Sequence, residues 1–128
     1  MLTHSPKPPA SELQLLHVLW ERGPSTVREV HQALNDKRPI GYTSVLKLMQ
    51  IMTAKGTLRR NEEQRAHVYE AVQPAEKTKR QLALDVLQRV FDGSASQLMM
   101  HALADRKASK EEVDELRRLL NDYERKLR

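Results

Sequence analysis

Cysteine is absent from the 128-residue chain. That excludes disulfides, thiolate metal sites and cysteine nucleophiles, and it fits a reducing compartment. Aromatics are scarce, with one Trp, one Phe and three Tyr, so the core is expected to be mostly aliphatic. No apolar run approaches the roughly 18 residues needed to cross a bilayer, and no membrane insertion is expected. Residues 1–10 hold three prolines and no apolar stretch. They are expected to form a flexible tail rather than a secretory leader, in keeping with a cytoplasmic protein. Catalytic signatures are missing as well. The five histidines form no His-Glu-x-x-His pattern, and neither a P-loop nor a Gly-x-Ser-x-Gly elbow occurs. The carboxylates stand beside Lys and Arg, as in Glu111-Glu112 before Arg117-Arg118, the pattern of solvated helix pairs. Neither an enzyme nor a metal or cofactor site is expected.

What is present is ordinary soluble material with an uneven charge. Of the net +5, all is carried between Lys37 and Arg65, where seven basic residues meet only Glu62 and Glu63. Elsewhere acids and bases cancel. Localised positive charge is the footprint of a surface that binds a polyanion, or of a solvated basic face with no partner.

Periodicity divides the chain into six helices and a hairpin. Ser11-Glu12-Leu13-Gln14 has the form of a capping box, opening a helix to about Glu21 with Leu13, Leu16 and Trp20 on one face. Gly23-Pro24 ends it. A second box, Thr26-Val27-Arg28-Glu29, opens a helix to about Asn35 with Val27, Val30 and Leu34 inward. A third helix runs from Tyr42 to Lys55, with Val45, Leu48, Met49 and Met52 as its buried stripe and Gly56 as its C-terminal cap. Thr57–Arg60 and Ala66–Val72 read as strands joined by the polar turn Asn61–Gln64. Gln73-Pro74 marks a boundary. Beyond it come helices over Ala75–Asp92, Ala95–Ala104 and from the Ser109 capping box to about Leu127. The expected fold is mainly α: a winged helix-turn-helix over residues 11–73, then a three-helix dimerisation domain over 74–128.

Opposite the buried stripe, the third helix carries Thr43, Ser44, Lys47, Gln50, Ile51 and Ala54. This face has no acid. Thr43 and Ser44 are short donors near a helix N-terminus, which favours phosphate. Lys47 reaches phosphate or guanine, Gln50 pairs with adenine, and Ile51 either meets a thymine methyl or packs under the hairpin. Thr and Ser at a helix start also serve as caps. The hairpin basics Arg59, Arg60 and Arg65 read as backbone contacts or as charges that protect an edge strand. An acid-free face, the charge excess and a basic hairpin in one stretch favour nucleic acid. The alternative is a helical interaction module whose winged fold binds a protein.

Five segments carry a resemblance: Ser11-Glu12-Leu13-Gln14-Leu15-Leu16-His17-Val18-Leu19-Trp20, Pro24-Ser25-Thr26-Val27-Arg28-Glu29-Val30, Tyr42-Thr43-Ser44-Val45-Leu46, Lys55-Gly56 and Arg65-Ala66-His67-Val68-Tyr69. In this order and spacing, the chain resembles the penicillinase-repressor (BlaI/MecI/CopY-type) family over residues 10 to 127. The resemblance implies a homodimeric repressor of palindromic operator DNA. It places operator contact on Thr43, Ser44 and Lys47, with the hairpin basics as wing contacts; Tyr42, at the start of the same helix, is expected to contact DNA as well. Ile51 stands where the family often has Arg, and Lys47 where Thr is common. In members that respond to β-lactams, a membrane-bound sensor protease leads to cleavage between Asn and Phe. Here the matching region is Met100, His101 and Ala102. The C-terminal cysteine motif of the copper-responsive members is missing, so the inducing signal stays open.

The last helix places Val113, Leu116, Leu120, Tyr123 and Leu127 at alternating spacings of three and four, a heptad-like seam. The seam packs either within the chain or against a second copy. A domain this small buries little alone. With Phe91, Leu98, Met99 and Leu103 it would leave apolar surface exposed unless a partner covers it.

Overall fold

The computed structural model describes residues 8–104 and 107–128; the start of the predicted tail lies outside them. The described elements run α1 (Ala10–Arg22), β1 (Ser25–Thr26), α2 (Val27–Lys37), α3 (Tyr42–Ala54), β2 (Leu58–Asn61), β3 (Val68–Ala71), α4 (Ala75–Arg89), α5 (Ala95–Ala104) and α6 (Lys110–Lys126). The chain divides into two compact units, one ending at Leu82 and the other beginning at Ala83.

In the first unit three helices close over one core. Leu15, Leu16 and Leu19 of α1, Val27 and Val30 of α2, and Val45, Met49 and Met52 of α3 are buried together with Leu58 and Tyr69. The stripe of α1 differs from the expected one, since Leu13 and Trp20 lie at its half-buried margin. Glu12 instead occupies the first position of an i, i+3, i+4, i+7 row with Leu15, Leu16 and Leu19, and it is buried with them. The row was hidden in the sequence because its first residue is charged. The Ser11 capping box does not form: the N-cap is Pro9, two residues earlier, and it makes no side-chain cap bond. Proline there presets the backbone and has no N–H to satisfy.

The second capping box forms as the sequence predicts. Thr26 Oγ1 accepts from the Glu29 N–H at 3.2 Å, and Glu29 Oε1 accepts from the Thr26 N–H at 2.9 Å. Thr26 also belongs to β1, a strand the sequence reading missed. Two residues are too few to show alternation, and they pair only because β3 arrives beside them. The sheet order is β1-β3-β2, all antiparallel, with Ser25 opposite Tyr69 and Arg59 opposite Glu70. The hairpin loop is longer than the expected turn, spanning residues 62–67 between the strand ends.

Gly56 ends α3 as a left-handed residue at φ 85°. Its N–H reaches the Thr53 carbonyl at 3.1 Å and the Thr57 N–H reaches Met52 at 2.9 Å, a Schellman closure that turns the chain into β2. Trp20 Nε1–H donates to the Gln73 carbonyl at 3.1 Å, tying α1 to the end of the hairpin.

In the second unit α4 continues to Arg89, short of the expected Asp92, because Asp92 and Gly93 take positive φ. The Gly93 N–H closes that end on the Leu87 carbonyl at 2.8 Å. Phe91 lies tilted against His101 at 5.5 Å. Ser109 caps α6 by accepting from the Glu112 N–H at 3.1 Å. No described residue of this unit is buried.

The Glu29 carboxyl is held below its ordinary range, first by the Thr26 backbone N–H, then by the Thr26 hydroxyl, with Arg22 adding a smaller attraction. A depressed carboxylate stabilises the fold above its unfolded pKa and loses that contribution as pH falls through the folded value. Loss of the N-cap in Thr26→Ala is expected to cost about 1 kcal/mol. Glu29→Gln should flatten the acid limb of the stability curve, as read by urea titrations across the carboxylate range.

Candidate nucleic-acid interface

Burial of Val45, Met49 and Met52, each at 0% exposure, fixes the rotation of α3. The opposite face is then necessarily outward. Thr43, Ser44, Lys47, Gln50, Ile51 and Ala54 are all exposed. Ile51 is 43% exposed. Neither Thr43 nor Ser44 caps the helix, whose N-cap is Gly41 with no side-chain bond. Both hydroxyls are thus available at a helix start that has no acid in its first turn. Among the described residues, no ion pair holds Lys47.

The approach to this face is rigid, by contacts that sequence reasoning missed. His31 Nε2 lies 2.8 Å from the Ile40 carbonyl. Asn35 Oδ1 accepts from the Ile40 N–H at 3.0 Å. Tyr42, half-exposed, meets the His31 ring edge-on at 5.7 Å. The α2–α3 turn is thereby locked from both sides. Asn35 was legible as turn material; the role of His31 had no local signal, because its partner lies nine residues on.

The basic residues fare unequally. Arg59 faces Glu70 across the strands at 2.8 Å. Arg60 shares the inner side of the sheet with its opposite residue Tyr69 and pairs with Glu62 at 2.8 Å. The bond to Tyr69 and then the Glu62 carboxylate raise the Arg60 pKa above the ordinary arginine value. Lys55 pairs with the buried Glu12 at 2.7 Å. Arg65 is exposed on the loop, and no described ion pair holds it. Two of the acids, Glu12 and Glu70, come from outside the charged window, so the excess in space is smaller than along the chain. Four bases of the window have no carboxylate partner among the described residues: Lys37 and Arg38 at the end of α2, where Arg38 donates to Gln14 Oε1 at 3.3 Å, Lys47 on the outward face of α3, and Arg65 on the wing.

The penicillinase repressor profile matches residues 9–122. The chain belongs to the penicillinase repressor family. It is 32% identical over 114 residues to the transcriptional regulator BlaI of two strains of Mycobacterium tuberculosis, covering 88% of this chain and 82% of the relative. These relatives are transcriptional regulators, not enzymes, and DNA is the partner of such a family. A solved structure from work on the DNA recognition and protein interaction domains of HOP2 aligns with TM-score 0.44 and 17% identity, over 49% of this chain and 98% of that one. A likeness that slight carries no argument. No helix among the described residues is long and apolar enough to cross a membrane, and no described cluster of His, Asp or Glu has the arrangement of a metal site.

In this repressor-family fold the Glu12–Lys55 pair couples α1 to the end of α3. Removing Lys55 strands a buried carboxylate, which costs roughly 3–5 kcal/mol in a fully buried pair. Lys55 is 45% exposed, so water restores part of the loss, and Lys55→Met is expected to cost about 2 kcal/mol. Adding Glu12→Leu should recover most of it. Denaturant midpoints of the single and double variants test this, and a double variant no more stable than Lys55→Met would refute it.

Proposed function

We propose that two copies of this chain form a homodimer that represses transcription in the bacterial cytoplasm by binding palindromic operator DNA. Residues 11–73 are the reading head and residues 74–128 hold the dimer together. The observation that carries the reading is the outward, acid-free face of α3, held in place by a stripe with no exposure on its other side. That face enters the major groove. Thr43 and Ser44 meet phosphate at the helix start, Lys47 and Gln50 reach base edges, and Tyr42 borders the contact. Arg65, with Arg59 and Arg60 after they exchange their carboxylates, lies along the backbone.

Dimerisation rests on exposed apolar side chains. Leu120 and Tyr123 of α6, with Leu127 just past its end, are more than 60% exposed, while Val113 and Leu116 are half-buried. Phe91, Leu98, Met99 and Leu103 supply further apolar surface in the same unit. Two heads on a twofold axis read half-sites about one turn, ~34 Å, or a multiple apart, and tethering raises the effective concentration of the second head to about millimolar. Induction is assigned to a membrane-bound sensor protease acting through the exposed Met100-His101-Ala102 stretch of α5. So short and exposed a helix opens with little loss of buried contact.

Genomic footprinting of the bound protein tests the whole reading: protected palindromes support it, and the absence of any footprint removes it. Lys47→Ala is expected to weaken specific binding by about tenfold or more, the value of a good base contact. Arg65→Ala should reduce the log–log salt slope by about 0.9, the value of one phosphate contact. Arg60→Ala should change it less, because Glu62 already neutralises that arginine. Leu120→Asp should yield monomers in sedimentation and lose operator affinity while the first unit keeps its unfolding transition.

A further inference from the structure

The first unit contains a cavity of about 370 Å³ lined by Pro8, Glu12, Leu16, Lys55, Gln73 and Thr78, among others. Its volume lies within the span of small-molecule pockets, roughly 300–1,000 Å³. Its polar groups converge. Glu12 is 4% exposed, and its two oxygens are not equivalent. Oε2 accepts from Lys55 Nζ at 2.7 Å, whereas Oε1 is buried with no hydrogen-bond partner among the described residues. A buried carboxylate oxygen without a donor is costly to leave so. Lys55 has one donor committed to Oε2, and an ammonium carries three.

The geometry points to this cavity as a binding site for a small neutral carboxamide on an apolar body. The amide N–H donates to Glu12 Oε1, and the amide carbonyl accepts from a second Lys55 hydrogen. Neutrality follows from the pair itself. Lys55 already balances Glu12, so a cationic head crowds the ammonium and an anionic head faces Oε1. Pro8 and Leu16 give the apolar body its walls. Thr78, 8% exposed in the first turns of α4, closes the cavity from the side of that helix. The site lies behind α3 at its C-terminal end, away from the outward face, and it does not rest on the proposed operator binding.

Benzamide is the probe, titrated into the full ¹⁵N-labelled chain and followed by amide resonances. Saturable shifts centred on Glu12, Lys55, Thr57 and Thr78 are expected. Benzoate and benzamidine, with the same ring and charged heads, should bind at least about tenfold more weakly, as expected when a hydrogen bond to a charged group is lost. The double variant Glu12→Leu with Lys55→Met should abolish the shifts. Thr78→Leu fills the space while leaving the ion pair intact, and it should abolish them too if the double variant fails to fold. A response that never saturates, that is unchanged in Thr78→Leu, or that benzoate or benzamidine matches would overturn the assignment and leave the cavity to water.

Discussion

Val45, Met49 and Met52 are sealed from solvent, and most of what α3 offers to the outside follows from that. A helix anchored by one stripe has no freedom to rotate, because a turn of about 100° per residue would bring Lys47 or Gln50 inward in place of methionine. The core therefore does more than stabilise. It sets the direction of Thr43, Ser44, Lys47 and Gln50, and the outward face needs no hydrogen bonds of its own to stay outward. Methionine suits the task, since its flexible thioether fills the irregular space between α1, α2 and the sheet without demanding a partner. The Schellman closure at Gly56 and the His31–Ile40 contact hold the two ends, so position and rotation are both determined.

Electrostatics works on that frame with less excess than the sequence suggests. Counting along the chain treats each charge as free, yet folding brings carboxylates to three of the seven bases in the window. Glu70 reaches Arg59, Glu62 reaches Arg60 and Glu12 reaches Lys55. The pairs differ in kind. Those on the hairpin are exposed, weakly coupled and open to exchange with phosphate, since surface pairs are worth only about 0–1 kcal/mol. The pair at Lys55 involves a buried carboxylate and is structural. Sorting the cations this way leaves Lys37, Arg38, Lys47 and Arg65 without a carboxylate, and of these Lys47 lies on the outward face of α3 and Arg65 on the wing.

The legible part of the fold was the part written in local spacing. The Thr26 box, the α3 stripe, Gly56 and the bounds of α5 each depend on residues within a few positions of one another, and each came out as read. The misses share the opposite property. Ser11 has the right neighbours for a cap, but Pro9 starts the helix first. Glu12 looks like the solvent side of α1 until Lys55, 43 residues on, supplies its counter-charge. β1 exists only because β3 returns beside it. The acid-free outward face of α3 was legible for the same local reason as the helix that carries it, since it is a property of one segment. The pairing of Arg59 was not, because Glu70 lies eleven residues from it along the chain.

The two units obey different rules of stability. The first has a core of its own and folds around it. The second has no buried residue among those described, and its apolar side chains lie on α4, α5 and α6 with water on at least one side. A helix such as α6 gains little from propensity alone, so its stability has to come from packing of its apolar face. In the proposed dimer that packing is supplied by the second copy, and folding of the unit is then tied to protein concentration. Operator binding and dimerisation become linked through the same term, because two half-sites favour the paired state by as much as pairing favours the second half-site. A protease that opened α5 would act on that shared term without touching α3. A repressor built this way loses its grip on DNA while its reading head remains folded.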